Sequence, residues 1–357
     1  MNIVYDNIIF GIQRNGGISV VWRELLSRMQ NHIQNIRYVD VAPHSNYSRN
    51  MLDIPTAAIL QRIRYPKLSR YLNVGLQVNQ PFIFHSSYYR YCTNRNAINI
   101  TTVHDFTYEF FIKGLKKSVH SWQKFSAIRN SAAVVCISEN TKRDLLKLMP
   151  DLDESKVRVI YNGVSEYFCQ LHESAEEAQL PFPEKSYVVF IGRRDNYKNF
   201  NLTVRGIAST SLNLLIIGNQ LSKLERREIE QYLPHQRYQC LSYIPDERLN
   251  QLYNHAAALV YPSAYEGFGL PVLEAQRAGC PVIALNASAI PEVIGHTPLL
   301  MQKNNETELV QRLNMLSDSS LMKRVIDNGL LNAQRFSWDN MTKQYLHLYE
   351  ELLVQKD

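Results

Sequence analysis

Short apolar runs rich in β-branched residues alternate with amphipathic stretches along most of the chain. Runs that are apolar on both faces are typical of buried parallel strands, and the stretches between them carry helical periodicity. In the first half these rules predict helices such as 18–29 and 139–148 between strands at 3–6, 36–42, 81–87, 98–105, 132–138 and 157–163. The first half is therefore predicted to be a series of βαβ units.

A second series follows a polar, proline-containing stretch at 170–185, which is predicted to hold a domain boundary. Its predicted strands are 187–192, 212–218, 238–244, 257–263 and 281–286. The 357 residues are enough for two domains of roughly 150 residues each. We therefore predict an α/β protein with two Rossmann-like parallel sheets, in domains at 1–168 and 180–337, that binds ligands beyond the carboxyl ends of its strands.

Composition excludes several other classes of protein. The hydrophobic fraction of 45% and the charged fraction of 20% are ordinary for a globular protein, and neither indicates disorder or a fibrous repeat. No stretch approaches the roughly 20 apolar residues of a membrane span, and Asp6 interrupts any apolar leader, so we expect a cytoplasmic protein. The five cysteines form no C-x-x-C pair, which argues against a zinc site or a disulfide framework.

Positive charge is concentrated in the first half of the chain. Residues 1–170 contain 21 Lys and Arg against 12 Asp and Glu, a balance of +9, and the remainder carries −3. Basic side chains interleaved with aromatic ones cluster at 62–70 and 113–129. A solvated helix face and a surface for an anionic membrane or phosphate-bearing lipid both fit this pattern. No nucleic-acid-binding motif accompanies it, so nucleic acid is not expected as a partner.

The richest motif is the segment 261–275, YPSAYEGFGLPVLEA, which joins a predicted strand to a predicted helix. Its glycines permit a tight turn, so that the backbone amides of Phe268, Gly269 and Leu270 lie at a helix N-terminus, where phosphate binds. About one helical turn later, the carboxylate of Glu274 can accept two hydrogen bonds from a diol such as ribose. An ordinary strand-turn-helix with surface acids is the alternative interpretation.

This segment, with Glu266 and Glu274 in an E-x7-E pattern, resembles retaining glycosyltransferases of family 4, the group 1 enzymes of bacterial polysaccharide and lipopolysaccharide synthesis. The resemblance implies the GT-B fold, with a nucleotide sugar between two facing domains and a terminal helix, here 338–357, that returns to the first domain. In that family the counterpart of Glu266 contacts hydroxyls of the donor sugar, and that of Glu274 holds the ribose. The distal phosphate is expected at the amides of residues 268–270.

A basic segment at 192–199, GRRDNYKN, follows the first predicted strand of the second domain. A leaving nucleotide diphosphate gains negative charge as the glycosidic bond breaks, and fixed cations stabilise that charge without a metal. The resemblance implies that Lys198 and Arg193 supply these cations. The family often has Arg directly before the Lys, whereas this chain has Tyr197, so Arg194 is an alternative source of the second cation.

The first domain contributes two further candidates. The loop QRNGGI at 13–18 resembles the family's N-terminal glycine loop, which implies donor contacts for Gly16 and Gly17; a plain turn is the alternative. His104 ends a predicted strand, where an α/β sheet presents catalytic side chains. The resemblance places this histidine near the reacting sugar, and a core histidine is the alternative.

Two remaining features concern the base and metals. Ile244 ends a predicted strand and is expected to contact the nucleotide base through its backbone. The D-x-D sequence at 151–153 matches the metal-binding motif of another glycosyltransferase fold, but it follows a helical pattern and Pro150 instead of a strand. It is therefore interpreted as a loop, and neither a metal nor another cofactor is expected.

Together with these features, the resemblance implies a metal-independent hexosyltransferase that retains anomeric configuration. Its acceptor is expected to be a glycan or a polyprenyl-diphosphate-linked oligosaccharide of surface polysaccharide or O-antigen synthesis, and GDP-mannose is the donor hypothesis. Catalytic roles fall to Glu266, His104, Lys198 and Arg193. A sugar-nucleotide epimerase of related fold, a nicotinamide-dependent oxidoreductase and a nucleotide-sensing module are the alternatives. The location is expected to be cytoplasmic, with contact at the inner face of the membrane left open.

Overall fold

The computed structural model of the chain describes residues 1–14, 16–172 and 178–355. Three of the predicted features extend beyond these ranges: the boundary stretch at residues 173–177, the glycine loop at Asn15 and the terminal helix at 356–357. The chain divides into two compact units, with the divisions at Gly163/Val164 and Phe336/Ser337. Unit 1 is Met1–Gly163 with Ser337–Asp357, and unit 2 is Val164–Phe336.

Unit 1 contains a parallel sheet of seven strands. These are β1 (Ile3–Asp6), β2 (Ile36–Val41), β3 (Ile59–Ile63), β4 (Phe82–Ser86), β5 (Ala97–Val103), β6 (Ala133–Cys136) and β7 (Val157–Val159). Their order across the sheet is β3-β2-β1-β4-β5-β6-β7. Every residue of β1, β4 and β6 is buried, because helices cover both faces of such a sheet.

In the described residues of unit 1, seven helices connect these strands. They are α1 (Ile9–Ile12), α2 (Gly17–Met29), α3 (Tyr47–Asn50), α4 (Pro66–Ser69), α5 (Thr107–Phe111), α6 (Leu115–Arg129) and α7 (Glu139–Leu148). The N-cap of α7 is Ser138, whose hydroxyl accepts a hydrogen bond from the backbone N–H of Thr141 at 3.0 Å.

Unit 2 contains a second parallel sheet, of six strands. These are β8 (Tyr187–Ile191), β9 (Asn213–Ile217), β10 (Tyr238–Leu241), β11 (Ala258–Tyr261), β12 (Val282–Leu285) and β13 (Leu300–Met301), in the order β10-β9-β8-β11-β12-β13. The helices are α8 (Phe200–Ala208), α9 (Lys223–Glu230), α10 (Asp246–His255), α11 (Leu270–Arg277), α12 (Ile290–Ile294), α13 (Glu306–Asn314) and α14 (Ser319–Ala333). The predicted α/β class with two Rossmann-like parallel sheets is confirmed.

Two strands lie outside the sequence prediction. Strand β3 forms one edge of its sheet, so most of its residues are exposed and they include the charged Arg62. Edge strands of this kind carry no buried apolar run, which is the signal that identified the other strands. Strand β13 forms an edge of the second sheet and is only two residues long.

The last helix, α15 (Trp338–Val354), belongs to unit 1 and packs against α2 and β4. Its aromatic hydroxyls satisfy polar groups buried in the sheet. The hydroxyl of Tyr349 lies 2.6 Å from Nδ1 of His85, and the hydroxyl of Tyr345 lies 2.9 Å from Oγ1 of Thr102. Because a buried polar group without a partner costs about 1–3 kcal/mol, these bonds make the helix an integral part of the unit 1 core.

A substitution at Gly163 tests how closely the backbone there packs against the start of α15. A Cβ atom at Gly163 would lie 2.2 Å from the backbone nitrogen of Trp338, closer than any real contact. We expect Gly163→Ala to lower the free energy of unfolding by about 1–3 kcal/mol, because backbone atoms must move apart. Gly75→Ala is the matched control, since nothing lies within 4 Å of its added Cβ. Equal urea midpoints for the two variants would contradict this packing.

Candidate functional site

The two motifs of unit 2 meet at the point where the strand order of its sheet reverses. From β8 the chain continues outward to β9 and β10, whereas from β11 it continues in the other direction to β12 and β13. Open α/β sheets bind ligands in the crevice beyond the strand ends at such a switch point. Lys198 follows β8 and Glu266 follows β11, and these two strands are paired neighbours.

Lys198 and Glu266 form an ion pair between Nζ and Oε1. The side chains are 13% and 14% exposed, so water screens the pair less than it would on the surface. The hydroxyl of Tyr261, at the end of β11, lies 3.4 Å from the same Nζ. The ring of Tyr261 also lies beneath the ammonium, 5.2 Å from its centre. A cation is thus held at the switch point, next to a carboxylate.

Backbone contacts between the two loops fix this cation in place. Lys198 ends a short 3₁₀ turn, and Asn199 follows in the left-handed region with φ of 53°. The Asn199 side chain donates a hydrogen bond to the carbonyl of Pro262 at 2.8 Å. The amide of Ala264 donates to the carbonyl of Tyr197 at 2.7 Å. The segments that follow β8 and β11 therefore form one bonded structure.

The glycine turn leads directly into α11. Gly269 has φ of 103° and is the N-cap residue, and a Cβ there would lie 2.9 Å from Cδ1 of Ile290. Both facts require glycine at this position. The Phe268 side chain is 3% exposed and packs edge-to-face against Phe336, with 5.6 Å between ring centres. It contributes its backbone, not its ring, to the helix start, where Leu270 is the first helical residue.

Ser288 supports Glu266 from the loop after β12. Its hydroxyl accepts a hydrogen bond from the backbone amide of Glu266 at 2.8 Å, and Ser288 itself has φ of 51°. Strained backbone that persists in a native structure is concentrated at binding sites. Neither Ser288 nor Asn199 was identified from the sequence. The asparagine carried one general signal, because Asn tolerates the left-handed region better than most residues.

Glu274 lies one turn into α11 and is partly buried. Burial, followed by the negative charge of Asp246, raises the pKa of its carboxyl from 4.5 to about 8. Within the described residues, this carboxyl has no hydrogen-bond or ion-pair partner. Asp246 begins α10 two residues after Ile244, so the loop predicted to contact the base lies close to Glu274. At pH 7 this carboxyl is therefore largely protonated, and it can accept one hydrogen bond from a hydroxyl group through its C=O and donate another through its O–H.

The two arginines of the basic segment differ in their surroundings. Arg194 is 7% exposed, and its guanidinium bonds to Glu225 at 2.6 Å and to the carbonyls of Asn219 and Gln220. It therefore holds the loop after β9 and has its donors engaged. Arg193 is 77% exposed and pairs with Asp195 at 3.1 Å. Of the two, Arg193 is the one whose side chain is accessible to a ligand.

In unit 1, His104 directly follows β5 and is 8% exposed. Burial lowers the pKa of its imidazole to about 4, and the neighbouring Lys124 also lowers it, while Asp105 acts in the opposite direction. The ring is therefore neutral at pH 7. A neutral imidazole can donate one hydrogen bond and accept another, which suits contact with a sugar hydroxyl.

The glycine loop of unit 1 is held by neighbouring polar groups. The Asn46 side chain donates to the carbonyl of Gln13 at 2.7 Å. A Cβ on Gly16 would lie 2.5 Å from Oε1 of Gln13, whereas the position of Gly17, the first residue of α2, is open. Gly16 thus lets the chain pass close to Gln13 before the helix begins.

The D-x-D sequence lies in a turn between α7 and β7. The carboxylate of Asp153 accepts a hydrogen bond from the amide of Ser155 at 2.9 Å and caps a short 3₁₀ turn. In the part of the chain that the structure describes, no three His, Cys, Asp or Glu side chains are placed to hold a metal ion. None of the helices in those residues combines the length and apolar composition needed to cross a bilayer.

The two Rossmann-like parallel sheets give the chain the GT-B fold of glycosyltransferases. Two family models match the chain: "Glycosyltransferase Family 4" over residues 15–166 and "Glycosyl transferases group 1" over residues 172–331. Together they span nearly the whole of both units. The chain belongs to this glycosyltransferase family.

Similar proteins with assigned names include mannosyltransferases. The O-antigen chain mannosyltransferase B of Escherichia coli is 42% identical over 113 residues, which cover 31% of this chain and 30% of that protein. The serotype-specific mannosyltransferase WbdA of Escherichia coli is 25% identical over 246 residues, covering 64% of this chain and 30% of that protein. The matched part thus spans less than a third of each relative.

Among solved structures, HepE of Anabaena in complex with UDP-glucose aligns with a TM-score of 0.75. The alignment covers 98% of this chain and 100% of that one, at 13% sequence identity. This likeness establishes the shared fold.

The raised pKa of Glu274 predicts a dependence of stability on pH. A carboxyl whose pKa is higher in the folded state stabilises the fold fully below its unfolded value near 4.5, and that stability is lost as pH rises toward about 8. Glu274→Gln should therefore gain melting temperature over the wild type progressively from pH 5 to pH 8. Glu228→Gln, on an exposed face of α9, is the control. Parallel melting curves for wild type and Glu274→Gln across this range would contradict the assigned pKa.

Proposed function

We propose that this protein transfers a hexose from a nucleotide diphosphate sugar to a hydroxyl of a glycan or of a polyprenyl-diphosphate-linked oligosaccharide. The observation that carries the proposal is the meeting of Lys198 with Glu266 and the start of α11 at the switch point of unit 2. A cation and a helix N-terminus suit a diphosphate, while a carboxylate beside them suits sugar hydroxyls. Family membership supports the same reaction class.

In this proposal, the donor is held in three parts. The diphosphate binds at Lys198 and the amides of Phe268, Gly269 and Leu270. The ribose hydroxyls form hydrogen bonds with the carboxyl of Glu274, which lacks a protein partner in the described residues. The base lies beside the backbone of Ile244.

Glu266 must exchange its present partner when the donor binds. Lys198 turns to the diphosphate, and the Glu266 carboxylate becomes free to accept hydrogen bonds from hydroxyls of the hexose. The ion pair in the ligand-free protein keeps both charges compensated in a site that is largely shielded from water. Donor binding thus replaces the ion pair between Lys198 and Glu266 with two contacts, one from Lys198 to the diphosphate and one from Glu266 to the hexose.

Transfer proceeds with retention of anomeric configuration. The bond between the anomeric carbon and the diphosphate oxygen breaks, and the acceptor oxygen forms a new bond to that carbon on the same face. The acceptor proton goes to the departing diphosphate. Lys198 and Arg193 stabilise the charge that develops on the leaving group, so the reaction needs no metal. In unit 1, neutral His104 orients the hexose, and Gly16 and Gly17 contact the donor.

Mannose is the proposed hexose and GDP-mannose the proposed donor. The support comes from the relatives named above, an O-antigen chain mannosyltransferase and a serotype-specific mannosyltransferase. O-antigen or another surface polysaccharide is accordingly the proposed product. UDP-glucose, which HepE binds, is the natural comparison donor because that protein shares the fold.

A donor panel tests the proposal directly. We expect GDP-mannose to raise the melting temperature more than UDP-glucose, since a ligand at 100 times its dissociation constant stabilises by about 2.7 kcal/mol. With labelled donor and a lipid-linked acceptor, mannose should appear on the acceptor, in EDTA as well as in buffer. Conversion of the free donor to an isomeric sugar nucleotide would instead establish an epimerase, and no turnover with any donor would exclude a transferase.

Lys198→Ala tests the leaving-group role. The loss of one charge-assisted contact worth about 1.5–3 kcal/mol should lower kcat/KM by roughly ten- to a hundredfold. Lys223→Ala, at an exposed position in the first turn of α9, removes the same side chain away from the site and should retain full activity. Wild-type kcat/KM in Lys198→Ala would remove the basis for placing the diphosphate here.

A further inference from the structure

Residues 115–122 of helix α6 expose their apolar side chains, whereas its later turns bury Ala127 and Ile128 as an ordinary surface helix does. Its outward side carries Leu115, Val119 and Trp122, which are 83%, 43% and 65% exposed. These residues are spaced four and three apart, so they lie along one stripe of the helix. The inward side carries Lys124, which is 0% exposed, with the buried His120. The apolar stripe therefore faces away from the protein core.

Lys124 and His120, on the inward side of α6, contact a buried group of polar and aromatic side chains. Nζ of Lys124 donates to Glu109 at 2.7 Å and to the carbonyl of Asp105 at 2.9 Å. The ring of His120 stacks on Tyr108 with 3.9 Å between centres. Although burial alone raises it, the nearby His120 ring, whose Nδ1 lies 3.5 Å from Oε1, and the ammonium of Lys124 bring the pKa of Glu109 to about 2. The orientation of α6 is thus fixed, and its apolar stripe stays outside.

A second exposed apolar segment lies next to α6. The side chains of Tyr65, Leu68 and Leu72, in and around α4, are 72%, 70% and 63% exposed. The Gln123 amide donates hydrogen bonds to the carbonyls of Arg70 and Tyr89. Because Gln123 follows Trp122 and Arg70 lies between Leu68 and Leu72, the two exposed segments are neighbours in the structure. We call residues 60–72 and 110–122 together the α4–α6 surface.

This surface carries positive charge and no negative charge. Neither 60–72 nor 110–122 contains an Asp or Glu. Among the described residues, none of its exposed or partly exposed cations at Arg62, Arg64, Lys67, Lys113, Lys116 and Lys117 forms an ion pair. Exposed leucine and tryptophan interleaved with unpaired lysine and arginine are suited to a surface that is both apolar and anionic.

We propose that the α4–α6 surface docks on an anionic lipid bilayer. The apolar stripe of α6 and the leucines near α4 insert at the level of the headgroups, and the lysines and arginines contact lipid phosphates. Trp122 and Tyr65 suit this depth, because each has an apolar body and a polar group that prefers the interface. The inference stands independently of the proposed reaction, since it concerns binding without substrate.

Sedimentation of the full-length protein with lipid vesicles tests the docking. The protein should bind vesicles that contain phosphatidylglycerol and bind pure phosphatidylcholine much more weakly, and added salt should weaken the interaction. Equal binding to both kinds of vesicle, or to neither, overturns the proposal. Binding to soluble polyphosphate or nucleic acid without binding to vesicles identifies a different partner and also overturns it.

Matched pairs of leucine substitutions distinguish vesicle binding through the α4–α6 surface from non-specific hydrophobic adsorption. Leu68→Ser with Leu115→Ser should weaken vesicle binding by roughly tenfold or more, because two apolar side chains leave the interface. Leu224→Ser with Leu331→Ser, at positions 67% exposed in unit 2, is the control and should bind as the wild type does. An equal loss in both double variants contradicts the assigned surface. Unchanged melting temperatures establish that each variant is folded.

Charge is tested in the same way. Lys113→Gln with Lys116→Gln should weaken binding roughly 25-fold, since each cation near an anionic surface contributes on the order of fivefold. Lys323→Gln with Arg324→Gln, both exposed on α14, removes the same net charge elsewhere. If this control pair loses as much binding as the first, the attraction is to net charge and not to the α4–α6 surface.

Trp122 gives a direct optical readout. Trp22 and Trp338 are 3% and 4% exposed, so Trp122 is the one tryptophan of the three that faces water. Its emission should shift to shorter wavelength when vesicles bind, and acrylamide should quench it less. Trp122→Phe should abolish the shift while sedimentation persists. Binding without any shift of Trp122 emission would place the lipid contact elsewhere.

Discussion

The ion pair between Lys198 and Glu266 is the interaction on which the candidate site depends. Two strands that lie far apart in sequence, β8 and β11, are neighbours because the sheet reverses its order between them. Their following loops therefore meet, and the pair compensates two charges that would otherwise be largely desolvated and alone. The ring of Tyr261 lies against the same cation, and the Asn199 side chain bonds the two loops together, so the site is organised before any ligand arrives.

The sequence predicts those parts of the site whose residues directly follow a buried strand. Buried parallel strands are apolar runs, and side chains placed just after such runs gather at one edge of a sheet. That reasoning placed Lys198 and Glu266 after predicted strands of the second domain, and the family resemblance, not strand order, assigned them and Glu274 to one donor site. It could not choose between Arg193 and Arg194, because the choice depends on Glu225 and two carbonyls from the next loop, which bind Arg194.

Other features have no sequence signal. They arise from the backbone conformation of a loop or from which face of a helix turns toward the core. Ser288 adopts φ of 51° and anchors Glu266, yet a serine in a loop indicates nothing of the kind. The basic cluster at 113–129 was treated as one set of charges, whereas Lys124 lies inside the protein and Lys116 is exposed. Periodicity identifies two faces of a helix, but only packing determines which face is buried.

The buried polar contacts of α6 link this helix to the strand end that carries His104. From the sequence alone, these two parts of unit 1 are considered separately. Lys124 bonds to the carbonyl of Asp105, the residue after His104, and burial lowers the pKa of its ammonium while Glu109 opposes that effect. One buried cation therefore anchors α6 and also fixes the backbone beside His104. Replacing it by an apolar residue would leave the Glu109 carboxylate buried without its nearest charge. The exposed stripe of α6 and the position of His104 thus depend on the same ion pair.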